Sequence, residues 1–522
     1  MLPNRFRAMI EINDPLSATN LTELWAQAAA RYGDRAVAID NDRAYRYAEL
    51  EGAIARIAAG LRDRFGIEPG RQVGLIIPNC VEFIVAYLAI LRCGAVAVPI
   101  NVRLRPEEIR FILGDAEVAL VIAHEATRDL ASEAMALRER RLPMIVIGKA
   151  REGAIAFGDL QSGDAAIAAA QSPGASTASS GVAAIIYTSG TTGRPKGSMI
   201  THANVLFNSS SAIAGLGFQP DDIHLLAVPL FHVTGLNTIL PTAIRQGAPM
   251  AITARVSPGE MMALCAGQGA TTFLGVPTTY ILMSQMKELD PGQMRTVRLI
   301  GYSGAPMPVR AIERLRETFP WADLHNFYGL TETTSIATVL PAADALSRPD
   351  SIGKTVPEVE PAIFDPNGRE LLTGETGELC LRGPNIFAGY WRRPEATAEA
   401  FFGDWFRTGD LASVDADGYI VLRGRVKELI IVGGENVYPA EVEQVLCQVE
   451  GVAEAAAVGV EHAVHGELVK AVVVAHPGVS LNELDLKRHC SERLASFKVP
   501  RIIEFRGALP RNPSGKVVKR EL

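Results

Sequence analysis

The segment YTSGTTGRPKGSM, Tyr187 to Met199, places five Ser/Thr hydroxyls, three glycines, two cations and one proline within thirteen residues, directly after the apolar run VAAII. Glycines let a backbone bend until its N–H groups converge, hydroxyls add donors, and Lys196 adds a point charge. A polyphosphate is the guest that such a donor set suits. The Walker pattern GxxxxGK[ST] is not met, because Pro195 follows Gly190 at the fifth position and Gly197 follows Lys196. An ordinary P-loop NTPase is therefore excluded. The six cysteines (Cys80, Cys93, Cys265, Cys380, Cys447, Cys490) show neither a CxxC pair nor zinc spacing, which argues against a disulfide scaffold or a structural metal.

A loop of this kind needs rigid elements to hold it. Leu50, Ile54, Ile57, Ala58, Leu61 and Phe65 share one face of a helix, and QVGLIIPNCVEFIVAYLAILRCGAVAVPIN reads as strand, helix ending near Gly94, strand. That βαβ unit implies parallel strands. HLLAVPLFH, TTFLGVP, TVRLIGYSGAP and DLHNFYG repeat the theme, each an apolar run leading into a polar or helical stretch such as PVRAIERLRETF. In open sheets of this type ligands gather beyond the carboxyl ends of the strands. Residues 151–181 read as a mobile Ala/Ser/Gly-rich connection, strand-like pieces with Gly turns begin near Glu375, and a small α+β unit follows GRVKELIIVGGENVYPAEVE.

With 522 residues, 48% of them hydrophobic, the chain is long enough for several cores. Its 51 Lys/Arg against 58 Asp/Glu give a net charge of −7, which leaves no global basic field for nucleic acid. The N-terminus is interrupted by charges before an apolar signal core can form, and FIVAYLAIL is about half a membrane span. The expectation is a cytoplasmic protein with no stable membrane insertion.

YTSGTTGRPKG resembles the signature of the adenylate-forming superfamily, which contains acyl-CoA synthetases, firefly luciferase and nonribosomal peptide adenylation domains. Six further family motifs follow in order: PLFHVTG (229–235), GAP (304–306), NFYGLTET (326–333), WFRTGD (405–410), GRVKELIIVGGENVYPAEVE (424–443) and PRNPSGKVVKREL (510–522). The resemblance spans essentially the whole chain. It implies an α/β fold: a large N-terminal adenylation domain, 1–424, of doubly wound sheets plus a β-barrel-like subdomain, and a small mobile α+β C-terminal domain, 425–522.

The implied chemistry joins a carboxylate to AMP as a mixed anhydride and passes the acyl group to coenzyme A. Thr188, Ser189, Gly190, Thr191, Thr192, Gly193 and Lys196 would hold the β- and γ-phosphates of ATP. Glu332 is similar to the family's Mg2+ ligand, and one protein carboxylate is enough for an ion that keeps most of its waters. Thr331 is similar to the residue that bonds the α-phosphate. Tyr328 would stack on adenine, with Gly304, Ala305, Asn326 and Gly329 lining the nucleotide site. Asp410 would accept the ribose hydroxyls with Arg425 beside it, and Lys516 resembles the lysine bridging carboxylate and α-phosphate. Lys516 can reach the nucleotide only if the small domain closes, so re-docking about a hinge at Lys427 is implied for the second step.

Gly433 and Gly434 would then leave room for a pantetheine arm. His465 stands where chlorobenzoate-CoA ligases have a Trp against the CoA adenine. The CoA thiol, with a free pKa of about 8.5, needs no strong base against an acyl phosphate.

By the same resemblance His232, Val233, Thr234, Gly235, Tyr302, Ser303, Gly304, Gly329, Leu330 and Thr334 line the acid pocket, with His232 also counted among the catalytic group. None of them carries formal charge apart from a protonated His, so a second charge on the acid would be unpaired. Gly235 and Gly329 are expected to leave space for a ring or chain. The expected acid is a hydrophobic monocarboxylate, aromatic or medium-chain, with PLFHVTGL closest to the benzoate and coumarate branch. The alternative is an adenylation enzyme that loads a carrier protein in trans; the missing pocket Asp and the lack of a carrier domain after Leu522 weigh against it. The implied partners are the acid, ATP and CoA, with no nucleic acid; a homodimer stays open.

Overall fold

The computed structural model describes residues 16–138, 142–151, 153–160, 178–188, 195–254, 257–284, 286, 290–305, 307–462, 466–511 and 517–522. The amphipathic segment forms the helix Tyr47–Phe65, and it stops where Gly66 turns left-handed (φ 61°) and donates its N–H to Arg62 O and Leu61 O. The βαβ unit is strand Gln72–Ile76, helix Val81–Arg92 and strand Val96–Pro99, with Gln72 opposite Val96 in parallel register. These strands are apolar on both faces because helices cover both faces.

Among the described residues, a seven-stranded sheet runs in the order Ile155–Ala156, Met144–Ile147, Leu120–His124, Gln72–Ile76, Val96–Pro99, Val182–Thr188 and Lys196–Thr201. Its last pair alone is antiparallel. A second hydrogen-bonded path has a parallel centre of Met250–Ile252, His224–Leu226, Thr272–Gly275, Leu299–Tyr302 and Asp323–Tyr328. It continues through Thr338–Leu340 and Ser351–Thr355 into the antiparallel strands Ile420–Arg425, Trp405–Val414, Gly377–Arg382 and Glu360–Phe364. These antiparallel strands are thus continuous with the parallel sheet through Ser351–Thr355.

Alternate residues of the parallel strands serve two cores: Leu274, Leu299 and Phe327 join the main core, while Phe273, Ile300 and Tyr302 face a second one beneath the helices Pro258–Gln268 and Val309–Thr318. A separate five-stranded sheet holds Glu435–Val437, Ile430–Val432, Gly466–Ala475, Val452–His462 and Ile502–Phe505. Its core joins Val469, Ala471 and Val473 to Val442, Leu446, Leu486 and Cys490 of two helices. Among the described residues no helix is long and apolar enough to cross a membrane.

Two buried histidines make this fold sensitive to acid. His202 Nδ1 accepts from Leu21 N at 3.3 Å, and His224 Nδ1 lies 2.8 Å from Thr272 Oγ1 across two parallel strands. Burial lowers the pKa of each from 6.5 to about 4. Between these values the unfolded chain binds protons that the folded chain refuses, so stability is full above 6.5 and falls as pH drops towards 4. Each group contributes a slope of up to roughly 1.4 kcal/mol per pH unit. Melting temperatures recorded from pH 7 to pH 5 are expected to fall for the parent chain and to fall less steeply for a His202→Gln, His224→Gln variant. Parallel curves would show that neither imidazole is held neutral.

Candidate active site

The strands that flank the candidate phosphate loop in sequence, Val182–Thr188 and Lys196–Thr201, pair antiparallel as a β-hairpin, with Thr188 opposite Lys196. Among the described residues the next helix starts at His202, beyond the second strand. The rim is fixed by packing: a Cβ at Gly197 would fall 2.6 Å from Ile185 Cγ2, and Tyr187 donates its hydroxyl to Asp115 Oδ2 at 2.7 Å. Ser189, Gly190, Thr191, Thr192 and Gly193 lie outside the described residues, as do His465 and Lys516.

A segment that sequence reasoning did not single out, Phe387–Trp391, extends this hairpin. Ala388 N donates to Met199 O (2.9 Å), Met199 N to Gly389 O (2.9 Å) and Trp391 N to Gly197 O (2.8 Å). Tyr390 is thereby carried to Lys196, whose Nζ lies 4.9 Å from its ring centroid.

The strand Asp323–Tyr328 delivers the next group. Beyond Gly329 and Leu330 the chain makes a 3-10 turn, Thr331–Thr333, then passes through Thr334 (φ 63°) and Ser335 (φ 131°). Two non-glycine residues at positive φ in sequence mark a backbone held by its surroundings. Those surroundings are specific: Thr334 Oγ1 donates to Asn385 O at 2.7 Å, and Asn208 Oδ1 accepts from Ile336 N at 2.9 Å. Asn208 also donates to Asn237 O and Thr238 Oγ1, tying this turn to the helix at Thr234–Ile239. Thr331 is half-buried in the turn, and Glu332 is buried, with Oε1 accepting from Tyr390 Oη at 3.0 Å. Burial and the adjacent Glu332 charge push the Tyr390 phenol up, so it stays a proton donor.

Asp410, buried, sits on Trp405–Val414 directly opposite Arg425 on Ile420–Arg425. Its Oδ1 pairs with Arg425 Nε at 2.6 Å and its Oδ2 accepts from Tyr328 Oη at 2.6 Å. Burial and then the Asp410 charge raise the Tyr328 phenol well above its ordinary value. Three residues singled out from separate motifs therefore form one bonded group. Asn326 donates to Ser351 O at 3.0 Å, while Gly304 (φ 86°) and Ala305 are exposed; a Cβ on Gly304 would lie 3.6 Å from Val276, a neighbour that sequence reasoning missed.

The acid-pocket candidates divide. His232 is exposed in a turn beyond the strand His224–Leu226, its N–H donating to Pro229 O and its Nδ1 3.4 Å from Thr234 N. Val233 and Thr234 are buried, Ser303 and Leu330 half-buried. Tyr302 points into the second core, with its buried hydroxyl unpartnered, and so faces away from the side served by Val233. The space expected at two glycines is filled by backbone: a Cβ at Gly235 would lie 2.5 Å from Pro229 O, and one at Gly329 1.5 Å from Ser335 O. Gly433 and Gly434, φ 61° and 88°, form the tip between Ile430–Val432 and Glu435–Val437, a two-residue turn that requires left-handed residues. Lys427 is exposed in the 3-10 turn Val426–Glu428 between two sheets.

No buried thiol competes as a nucleophile: burial raises Cys265 and Cys380 to about 12 and Cys93 to about 11. What the described residues assemble is a hairpin bearing Thr188 and Lys196, a buried carboxylate and a carboxylate–guanidinium–phenol group, which suits binding and charge stabilisation.

Comparison with known proteins matches residues 25–391 to the AMP-binding enzyme family and residues 441–516 to the AMP-binding enzyme C-terminal domain. The chain is similar to feruloyl-CoA synthase of Amycolatopsis sp, 33% identical over 95% of this chain and 97% of that one. It is also similar to the long-chain-fatty-acid–CoA ligase FadD13 of Mycobacterium tuberculosis H37Rv, 34% identical over 91% of each. Among solved structures, ATP-bound MatB from Rhodopseudomonas palustris superposes with a TM-score of 0.87 at 32% identity, covering 96% of this chain and 98% of that one. Matches of this length over both lobes place the chain in the AMP-binding enzyme family, as an AMP-forming acid–CoA ligase that works through an acyl-adenylate.

Proposed function

We propose that this ligase activates a hydrophobic monocarboxylic acid, aromatic or medium-chain, with ATP and Mg2+ and transfers the acyl group to CoA. The observation that carries the choice of acid is that Val233, Thr234, Leu330 and Thr334, buried or half-buried, are all uncharged. A dicarboxylate or amino acid would bring a second charge with no partner there. The feruloyl-CoA and long-chain-fatty-acid relatives are compatible with this direction, while an oxalate–CoA ligase of similar identity makes the pocket residues, not the relatives, carry the choice.

In the first step a carboxylate oxygen attacks the α-phosphorus and pyrophosphate leaves; in the second the CoA thiolate attacks the acyl carbon and AMP leaves. Lys196 and Thr188 stand at the rim for the β- and γ-phosphates, with Ser189, Gly190, Thr191, Thr192 and Gly193 between them in sequence. Asp410 and Arg425 would take the ribose, and Thr331 the α-phosphate. Among the described residues no three His, Cys, Asp or Glu side chains converge as a metal cage. The buried Glu332 carboxylate suits an ion held chiefly by water and phosphate oxygens, as Mg2+ is. Mg2+ bound there would neutralise charge moving onto pyrophosphate. Arg425 ends a strand of the large sheet and Ile430 opens the small one, which supports a division within 426–429, just beyond the expected 424/425, with Lys427 as hinge and Lys516 in the mobile part.

A pyrophosphate-release screen over benzoates, cinnamates and fatty acids of graded length, with and without CoA, tests this reading. Release with one of these classes and a thioester when CoA is added is the expected result. Turnover with a dicarboxylate alone would overturn the pocket assignment, and acyl transfer only to a carrier protein would replace CoA as the acceptor.

A further inference from the structure

One side chain touches two oppositely charged groups of the site without belonging to any of the motifs that led to it. Tyr390 donates to Glu332 Oε1 at 3.0 Å, and the face of the same ring receives Lys196 Nζ at 4.9 Å from its centroid. Its backbone has little freedom. Tyr390 N donates to Thr397 Oγ1 at 2.9 Å, and its neighbours on both sides bond to Gly197 and Met199 of the hairpin. Phe387 N donates to the backbone oxygen of Glu332 at 2.9 Å, and the Phe387 ring meets Tyr390 edge-on at 4.9 Å. Trp391 Nε1 donates to Asp115 O at 3.2 Å, and Asp115 also accepts from Tyr187 on the hairpin. The ring is therefore tied to both the hairpin and the Thr331–Thr333 turn.

A carboxylate turns freely about its last torsion unless one oxygen is bonded, and an ammonium group on a long stem wanders unless something holds it. We propose that Tyr390 is a positioning residue for adenylation: its hydroxyl fixes the plane of the Glu332 carboxylate, and its ring seats the Lys196 ammonium. The spacing between the metal-binding oxygen and the phosphate-binding cation is then set by a single rigid ring. This rests on the roles proposed above for Glu332 and Lys196.

The two contacts can be removed separately. Tyr390→Phe keeps the ring and loses the hydroxyl; Tyr390→Leu loses both. Titration of Mn2+ by electron paramagnetic resonance, with ATP and no acid present, reads the site without turnover. Tyr390→Phe is expected to weaken Mn2+ binding in the presence of ATP by about tenfold, the scale of one lost hydrogen bond to a charged group, and to leave ATP affinity without metal unchanged. Tyr390→Leu is expected to weaken metal-free ATP as well, by about threefold. Acid-dependent pyrophosphate exchange should fall in step with the metal affinity, while thioester formation from supplied acyl-adenylate and CoA holds.

Parental Mn2+ affinity in Tyr390→Phe would overturn the proposal. So would an equal loss in both half-reactions together with a lowered melting temperature, which would make the residue merely structural. If the parent chain forms AMP with none of the proposed acids but with another, and Tyr390→Phe weakens Mn2+ binding and pyrophosphate exchange there, the acid assignment fails and the positioning role stands.

Discussion

Replacing Lys516 with alanine is expected to slow acid-dependent ATP–pyrophosphate exchange by about a hundred- to a thousandfold, while thioester formation from supplied acyl-adenylate and CoA continues. Adenylation brings an anionic carboxylate against an anionic phosphate, and a positioned cation that bonds both is worth about 2.7–4 kcal/mol in the transition state. Thiolysis of a preformed acyl phosphate has no such encounter and needs no such bridge. The described flanks of this lysine are well anchored: Arg511 pairs with Val517, Val518 N donates to Pro510 O at 2.8 Å, and Lys519 is held by Glu443 at 2.7 Å and Glu428 at 3.0 Å. Burial works against the Lys519 charge, yet the two carboxylates raise its pKa overall, so this anchor persists at neutral pH. Loss of the Lys516 amine should therefore leave the tail seated. Isotope exchange between pyrophosphate and ATP, measured beside thioester formation from synthetic acyl-adenylate, separates the steps, and equal loss in both would reject the assignment.

Where the sequence was legible, the reason was periodicity or local turn chemistry. The helix Tyr47–Phe65 and the unit Gln72–Pro99 follow directly from apolar spacing, because those patterns are set by what a helix or a doubly covered strand must bury. Asp410, Arg425 and Tyr328 were each found by motif, but their mutual bonding was invisible. It depends on strand pairing across 82 residues, between Tyr328 and Asp410.

Tyr390 escaped for the same reason. It meets Glu332 across 58 residues, and only the pairing of Phe387–Trp391 with Gly197–Met199 brings them together. Gly235 and Gly329 were misread for a different reason. A small residue in sequence signals that something comes close, without saying whether it is a ligand or the chain itself. At Gly235 and Gly329 it is a backbone oxygen. The apolar run HLLAVPLFH reaches His232 in sequence, yet the strand stops at Leu226 and a turn intervenes.

Lys427→Pro is expected to do the reverse of the Lys516 change, sparing pyrophosphate exchange and slowing thioester formation from acyl-adenylate by about a hundredfold. Extended Arg425 (φ −111°, ψ 140°) is followed by the 3-10 turn Val426–Glu428 and then by Leu429 (φ −59°, ψ 126°), so the link between the sheets changes direction within four residues. Re-docking of the small lobe requires a few residues here to adopt different dihedrals. A proline ring pins φ near −65° and restricts the residue before it, at about 3 kcal/mol or more for conformers that violate either limit. If adenylation and thiolysis use different dihedrals at this position, one of the two postures bears that cost. Lys427 is exposed, so the substitution opens no cavity. Lys427→Ala separates charge from geometry, because it removes the ammonium and leaves the link free to turn; both half-reactions should survive in it. Unimpaired CoA ligation by the proline variant, measured against supplied acyl-adenylate, would place the hinge elsewhere, and a matching loss in the alanine variant would make Lys427 a contact residue instead of a pivot.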